Sequence, residues 1–127
     1  MQKKILVVED TEDSRQILKI LLEMNGYSVL EAENGSQAVK SAAEQHPDLI
    51  LMDISMPVMD GLTATKFIRK SDNTNKIPII AITAHGKYLY KQAIEAGCND
   101  LVSKPVDFDR LQPVIEHYLA HCFPIKI

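Results

Sequence analysis

The fold is decided by Leu49-Ile50-Leu51-Met52-Asp53, an apolar run that ends in a single carboxylate and is followed, after Ile54, by Ser55-Met56-Pro57. Four to eight apolar residues bounded by turn signals fit a parallel strand covered on both faces, and Pro57 cannot continue a central ladder. Asp53 therefore sits where a buried strand stops. In open parallel sheets ligands bind outside the carboxyl ends of the strands, so an acid in that position is a functional candidate.

Working outward, the same pattern recurs. Ile5-Leu6-Val7-Val8 is an apolar strand closed by Glu9 and Asp10; Tyr27 to Ala32 gives a second strand; Ile77-Pro78-Ile79-Ile80-Ala81-Ile82 a fourth, ending at Thr83; Leu101-Val102-Ser103 a fifth, ending at Lys104-Pro105. Between them lie segments of helical spacing. From about Glu12 the apolar positions are Ile17, Leu18, Ile20, Leu21, Leu22 and Met24, closed by Asn25-Gly26. Asn34 caps a helix that ends before Pro47, Asp60 caps one bearing Leu62, Ala64, Phe67 and Ile68, and a fourth runs from about Lys87 to Ala96 and stops at Gly97. Leu111, Val114, Ile115, Tyr118 and Leu119 line the last. Pro113 falls in its first turn if Asp109 is the cap, and demands a kink at about 3 kcal/mol if Asp107 is.

Five strands alternating with crossover helices predict an α/β fold: a doubly wound, five-stranded parallel sheet with helices on both faces. Glu9 and Asp10, Asp53, Thr83 and Lys104 then terminate strands one, three, four and five at one edge. Core packing gives no reason for four separate strands to end in polar side chains.

Composition narrows the function classes. The chain has 127 residues, 46% hydrophobic and 24% charged, which fits one globular domain over 1–127. A net charge of −3 without a Lys/Arg run gives no electrostatic support for nucleic acid or an anionic membrane. No apolar tract of about 18 residues suggests a membrane span, and Glu9-Asp10 interrupt the first apolar run too early for a signal peptide, so a cytoplasmic location is expected. Cys98 and Cys122 read as reduced thiols, the first a small buried hydrophobe and the second at the surface.

Carboxylates gathered at one rim repel, by roughly 4 kcal/mol per pair at 4 Å and an effective dielectric of about 20. Lys104 supplies one positive charge, and oxygen-only ligands point to Mg²⁺ for the rest. An acid beside Mg²⁺ with Lys and Thr donors suits an aspartyl-phosphate, with Asp53, the central acid, as nucleophile.

Val8-Glu9-Asp10, Met52-Asp53, Met56-Pro57-Val58-Met59-Asp60-Gly61, Thr83-Ala84 and Ser103-Lys104-Pro105 together resemble the receiver domain of two-component response regulators, over essentially the whole chain. The resemblance implies the flavodoxin-like strand order 2-1-3-4-5 and a stand-alone, single-domain regulator similar to chemotaxis regulators. It implies that Asp53 accepts a phosphoryl group from a sensor histidine kinase or histidine phosphotransfer protein. Glu9, Asp10, Asp53 and the backbone carbonyl of Ser55 would hold Mg²⁺, Thr83 and Lys104 would contact the phosphoryl oxygens, and Lys104-Pro105 would be cis, against about 5% of such bonds generally. Such a domain is not an enzyme beyond its own phosphorylation and dephosphorylation. Its signal would pass through an unknown downstream protein, or a homodimer, at the fourth helix, fifth strand and fifth helix.

One departure is Leu101, where many receivers carry an aromatic; a second is a slightly short stretch from Thr83 to Lys104. An aromatic switch is therefore not expected, and Tyr88 or Tyr90 are alternative read-out groups. His85 flanks the predicted pocket, and His117 and His121 lie four apart on a helix, though no third metal ligand accompanies them. The tail Phe123-Pro124-Ile125-Lys126-Ile127 adjoins the read-out face, where it either packs back or extends a contact.

Rival readings are weaker. A flavin-mononucleotide carrier would place phosphate at Glu9-Asp10-Thr11-Glu12-Asp13, which repels it; a P-loop GxxxxGK is missing; an aspartyl-phosphatase of the haloacid dehalogenase type would want an acid at Ser55. A docking module that is never phosphorylated, or a receiver cut from a larger hybrid kinase or regulator, completes the alternatives.

Overall fold

The computed structural model describes residues 2–55 and 60–121, with His121 as backbone only. Met56 to Met59, Cys122, the His121 side chain and the tail from Phe123 to Ile127 therefore lie outside the described residues. In chain order the elements are β1 (Lys4–Val8), α1 (Glu12–Met24), β2 (Ser28–Ala32), α2 (Gly35–Gln45), β3 (Leu49–Asp53), α3 (Gly61–Lys70), β4 (Ile79–Thr83), α4 (Gly86–Ala96), β5 (Asp100–Ser103) and α5 (Phe108–His121). The sheet is parallel throughout, in the order β2-β1-β3-β4-β5.

Apolar runs without alternation need cover on both faces, and they have it. Leu6, Val8, Ile50, Met52, Ile79 and Ala81 meet Ala38 and Ala42 of α2, Ala64 and Ile68 of α3 and Ala93 of α4. Ile5, Val7, Leu49, Leu51, Ile80 and Ile82 meet Leu18 and Leu22 of α1 and Leu111 and Ile115 of α5. Every residue of β3 and β4 is buried, and each such Leu or Ile contributes about 1.5–3 kcal/mol on leaving water. Among the described residues no helix is long and apolar enough to cross a membrane.

Local chemistry sets the element ends. Asn34 accepts from the Gln37 N–H and Asp60 from the Thr63 N–H, both at 2.9 Å, caps of about 1 kcal/mol each. β2 begins one residue later than expected because the Tyr27 N–H closes α1 by donating to the Leu22 carbonyl at 3.1 Å. At the far end of α4, Arg69 donates from Nε to the Gly97 carbonyl and from Nη2 to Asn99 Oδ1, each at 2.9 Å. Gly97 has φ 118°, and a Cβ there would also meet Arg69 Cγ at 2.6 Å.

Two expectations are resolved or revised. Asp107 is the start of α5: its carbonyl accepts from the Arg110 and Leu111 N–H groups at 3.0 Å. Pro113 thus lies inside the helix, past the first turn; it is exposed, as is Asp109, so water can reach the carbonyl that loses its donor. The apolar face of α1 is narrower than its spacing suggested, with Ile17, Ile20 and Met24 exposed by 59%, 54% and 76%. A helix lying on a sheet buries the i, i+4 row, here Leu18 and Leu22, and leaves the flanks to solvent.

Candidate active site at the carboxyl edge of the sheet

Parallel registry brings the strand ends together. Asp53 closes β3 and Glu9 lies just past β1, exposed by 2% and 3% respectively. Each binds the ammonium of Lys104, which follows β5: Nζ is 3.1 Å from Glu9 Oε1 and 3.2 Å from Asp53 Oδ2. The second oxygens accept backbone donors, Glu9 Oε2 from Thr11 N–H at 3.0 Å and Asp53 Oδ1 from Ser55 N–H at 2.9 Å. Asp10 is exposed, and one oxygen from each of Glu9, Asp10 and Asp53 lies within 4.8 Å of the others.

This pocket is short of positive charge. At 4.8 Å each carboxylate pair repels by about 3.5 kcal/mol at an effective dielectric of about 20, and one ammonium cannot neutralise three acids. Burial, seconded by the charge on Asp53, pushes the Glu9 carboxyl above its ordinary value despite the hydrogen bonds from Thr11 and Lys104. For Lys104, burial alone would lower the pKa, but the carboxylates of Asp53 and Glu9 outweigh it and hold the ammonium above its usual range. Three oxygen ligands without sulfur or imidazole are the donor set of a hard divalent cation such as Mg²⁺. Among the described residues this is the one cluster of three or more side chains able to hold a metal. It leaves out His117, whose ring packs edge-on against Tyr118 at 4.9 Å.

Thr83 ends β4 fully buried, with Oγ1 3.2 Å from Ser55 Oγ and accepting the His85 N–H at 3.0 Å. The Lys104 N–H donates to the Thr83 carbonyl at 2.8 Å, fastening the β5 end to the β4 end, and the Lys104–Pro105 peptide is cis. His85 contributes its backbone; its side chain is exposed at the start of α4. Two glycines permit the close packing. A Cβ on Gly61 would stand 2.4 Å from the Asp53 carbonyl oxygen, and one on Gly86 would stand 2.4 Å from Ser103 Oγ and 2.7 Å from Leu101 Cδ2. Leu101 is half-buried at that contact, whereas Tyr88 and Tyr90 are exposed by 75% and 54%.

All the side chains expected at the edge, Glu9, Asp10, Asp53, Thr83 and Lys104, thus converge. Two contributions were not foreseen. Ser55, for which the resemblance implied only the backbone carbonyl, donates its N–H to Asp53 and pairs its hydroxyl with that of Thr83. Arg15, buried in the first turns of α1, donates to the Glu9 carbonyl at 2.9 Å and to Glu31 Oε1 at 3.0 Å. The available signal was an acid, Glu31, set between the apolar Leu30 and Ala32 of β2.

Comparison with known proteins agrees with this geometry. The response regulator receiver domain family matches residues 5–116. The polar-differentiation response regulator DivK of Brucella anthropi is 38% identical over 121 residues, covering 94% of this chain and 98% of that protein. A similar structure is the receiver domain of a Pseudomonas aeruginosa sensor histidine kinase, solved with a magnesium ion coordinated in its active-site cleft. Its TM-score is 0.88 at 36% identity, over 94% of this chain and 99% of that one. A Vibrio cholerae chemotaxis protein aligns with a TM-score of 0.87 at 27% identity, over 92% and 98% of the two chains. With its strand order, its acid-lined edge and a match over most of its length, the chain belongs to the receiver domain family of two-component response regulators, the signalling modules of phosphorelays.

Proposed function

We propose that Asp53 is the phosphoacceptor of this receiver, in a Mg²⁺-dependent transfer from the phosphohistidine of a sensor histidine kinase or histidine phosphotransfer protein. The observation that carries the reading is the convergence on one buried carboxylate of two further acids, a hydroxyl and an ammonium from three other strand ends. A docking module without phosphoryl chemistry would have no use for repelling, partly buried acids.

Glu9, Asp10, Asp53 and the Ser55 carbonyl are the proposed Mg²⁺ ligands. What the ion supplies when bound is positive charge that offsets both the clustered carboxylates and the incoming phosphoryl oxygens. The protein's own groups do the rest. Ser55 N–H and Lys104 Nζ fix the orientation of the Asp53 carboxylate, so an oxygen lone pair faces the edge where the donor approaches. An Asp53 oxygen forms the new O–P bond as the P–N bond of the phosphohistidine breaks, and the imidazole nitrogen leaves with that electron pair. Lys104 and the Thr83 hydroxyl then donate to phosphoryl oxygens. The chain acts on no separate substrate; later loss of the phosphoryl group to water occurs at the same carboxylate.

A dianionic group on Asp53 draws Thr83 and Lys104 inward, and their backbones lead directly into α4 and β5. We therefore assign α4, β5 and α5 as the face that signals to a downstream protein or to a second copy of the chain, with the cytoplasm as the site of action. The test is labelling with a small phosphodonor and Mg²⁺. Wild type should carry one acid-stable, base-labile phosphoryl group that is lost in Asp53→Asn, whose amide is not nucleophilic; equal labelling of that variant would move the acceptor elsewhere.

A further inference from the structure

We infer that Arg15 is a positioning residue for the metal site: it touches no metal ligand oxygen, yet it fixes the peptide that joins Glu9 to Asp10. The inference rests on the Mg²⁺ reading of the pocket. Arg15 is exposed by 6%, and its guanidinium spans two supports. Nε donates to Glu31 Oε1 at 3.0 Å, and Nη1 donates to the Glu9 carbonyl at 2.9 Å. Glu31 is itself anchored in β2, paired in register with Val7 of β1, and also accepts from Gln16 and from Lys19.

The carbonyl concerned belongs to the planar unit between the two acids, so holding its oxygen restrains the plane that contains both Cα atoms and thus the base from which each side chain departs. Glu9 has further restraints in Thr11 and Lys104. Asp10 has none: among the described residues its carboxylate makes no hydrogen bond or ion pair, and its placement depends on the backbone alone. A buried guanidinium suits this task because its rigid fork can serve two acceptors at fixed angles, which a lysine ammonium cannot reproduce.

Positioning and simple electrostatics predict opposite signs. Removing a positive charge beside a cation site should tighten Mg²⁺ binding, whereas releasing the Glu9–Asp10 peptide should weaken it. Loss of a group that orients metal ligands typically costs about 10–100-fold in affinity. Titration of the full chain with Mg²⁺, followed by backbone amide shifts, distinguishes them. We expect wild type to saturate, Arg15→Met to bind about tenfold more weakly or worse, Arg15→Lys to be weakened as well although its charge is kept, and Lys40→Ala, an exposed change on α2, to bind as tightly as wild type. Ile68→Val, a core change on the opposite face of the sheet, controls for lost stability and should leave affinity unchanged. If wild type itself does not bind Mg²⁺, the metal reading fails, and this inference with it. If wild type binds and a folded Arg15→Met binds equally or more tightly, the inference alone is overturned. Should Arg15→Met not fold, Arg15→Lys decides, because it keeps the charge and loses the fork: weakened binding is expected, and a wild-type affinity would refute the role.

Discussion

Asp10→Asn should make the metal-free protein more stable and the Mg²⁺-loaded protein less stable than wild type. Asp10 is exposed and, among the described residues, pairs with no cation, so in the apo state its charge meets Glu9 and Asp53 only as repulsion, at no more than 4.8 Å. At the dielectric of water each such pair costs about 0.9 kcal/mol, and after screening by salt about 1 kcal/mol in total should remain to be recovered. For a domain of this size that raises the midpoint of thermal unfolding by about 3–5 °C. With Mg²⁺ at 100 times the wild-type Kd, wild type gains about 2.7 kcal/mol; a variant bound 100-fold more weakly gains about 0.4 kcal/mol. The order of stabilities then inverts, by about 1.3 kcal/mol. Thermal unfolding followed by circular dichroism, in EDTA and at that Mg²⁺ concentration, reads both arms. An Asn variant no more stable than wild type in EDTA, or showing the full wild-type response to Mg²⁺, would remove Asp10 from the site.

Gly61→Ala should destabilise by about 3 kcal/mol in urea denaturation, the upper end for overpacking, because two of the three atoms a Cβ meets are backbone of Asp53 and Ile54; a loss under about 0.5 kcal/mol would show that this contact can relax. Burial, seconded by the charge on Asp53, holds the Glu9 carboxyl above its ordinary value, so in the window just above that value the metal-free fold keeps a proton that the unfolded chain has released. Its contribution to stability accordingly falls as pH rises from 4.5 through the folded pKa, and Glu9→Gln should flatten that limb in a pH series of unfolding curves; an unaltered slope would assign it to another group. Beryllofluoride with Mg²⁺ should alter amide hydrogen exchange from His85 to Leu101, and changes confined to the loop after Asp53 would contradict the assigned read-out face.

Most of this architecture was legible because buried parallel strands are written as uninterrupted apolar runs, and each here stops at a polar residue. Asn34 and Asp60 announced their helices by cap chemistry, and both make the expected bonds. What stayed hidden depends on packing between segments distant in sequence. An arginine in a first helical turn reads as a solvated charge until Glu31 of β2 is brought beside it, and Ile17, Ile20 and Met24 read as core until the helix is laid on a sheet that has room for a single row. The start of α5 turned on whether Asp107 or Asp109 accepts first, a choice between two like residues that only the carbonyl geometry resolves.

The grip of Arg69 on Gly97 and Asn99 gives α4 a fulcrum. Its opposite end leaves Thr83 through His85 and Gly86, with no comparable side-chain tie to α3 among the described residues. A rod held at one tip and tugged at the other swings instead of sliding. Over 11 residues, or about 16 Å of helix, a displacement of about 1 Å at Gly86 becomes a tilt of about 4°. In such a tilt the exposed Tyr88 and Tyr90, near the driven tip, would travel further than the buried Ala93 and Ala96 near the pivot.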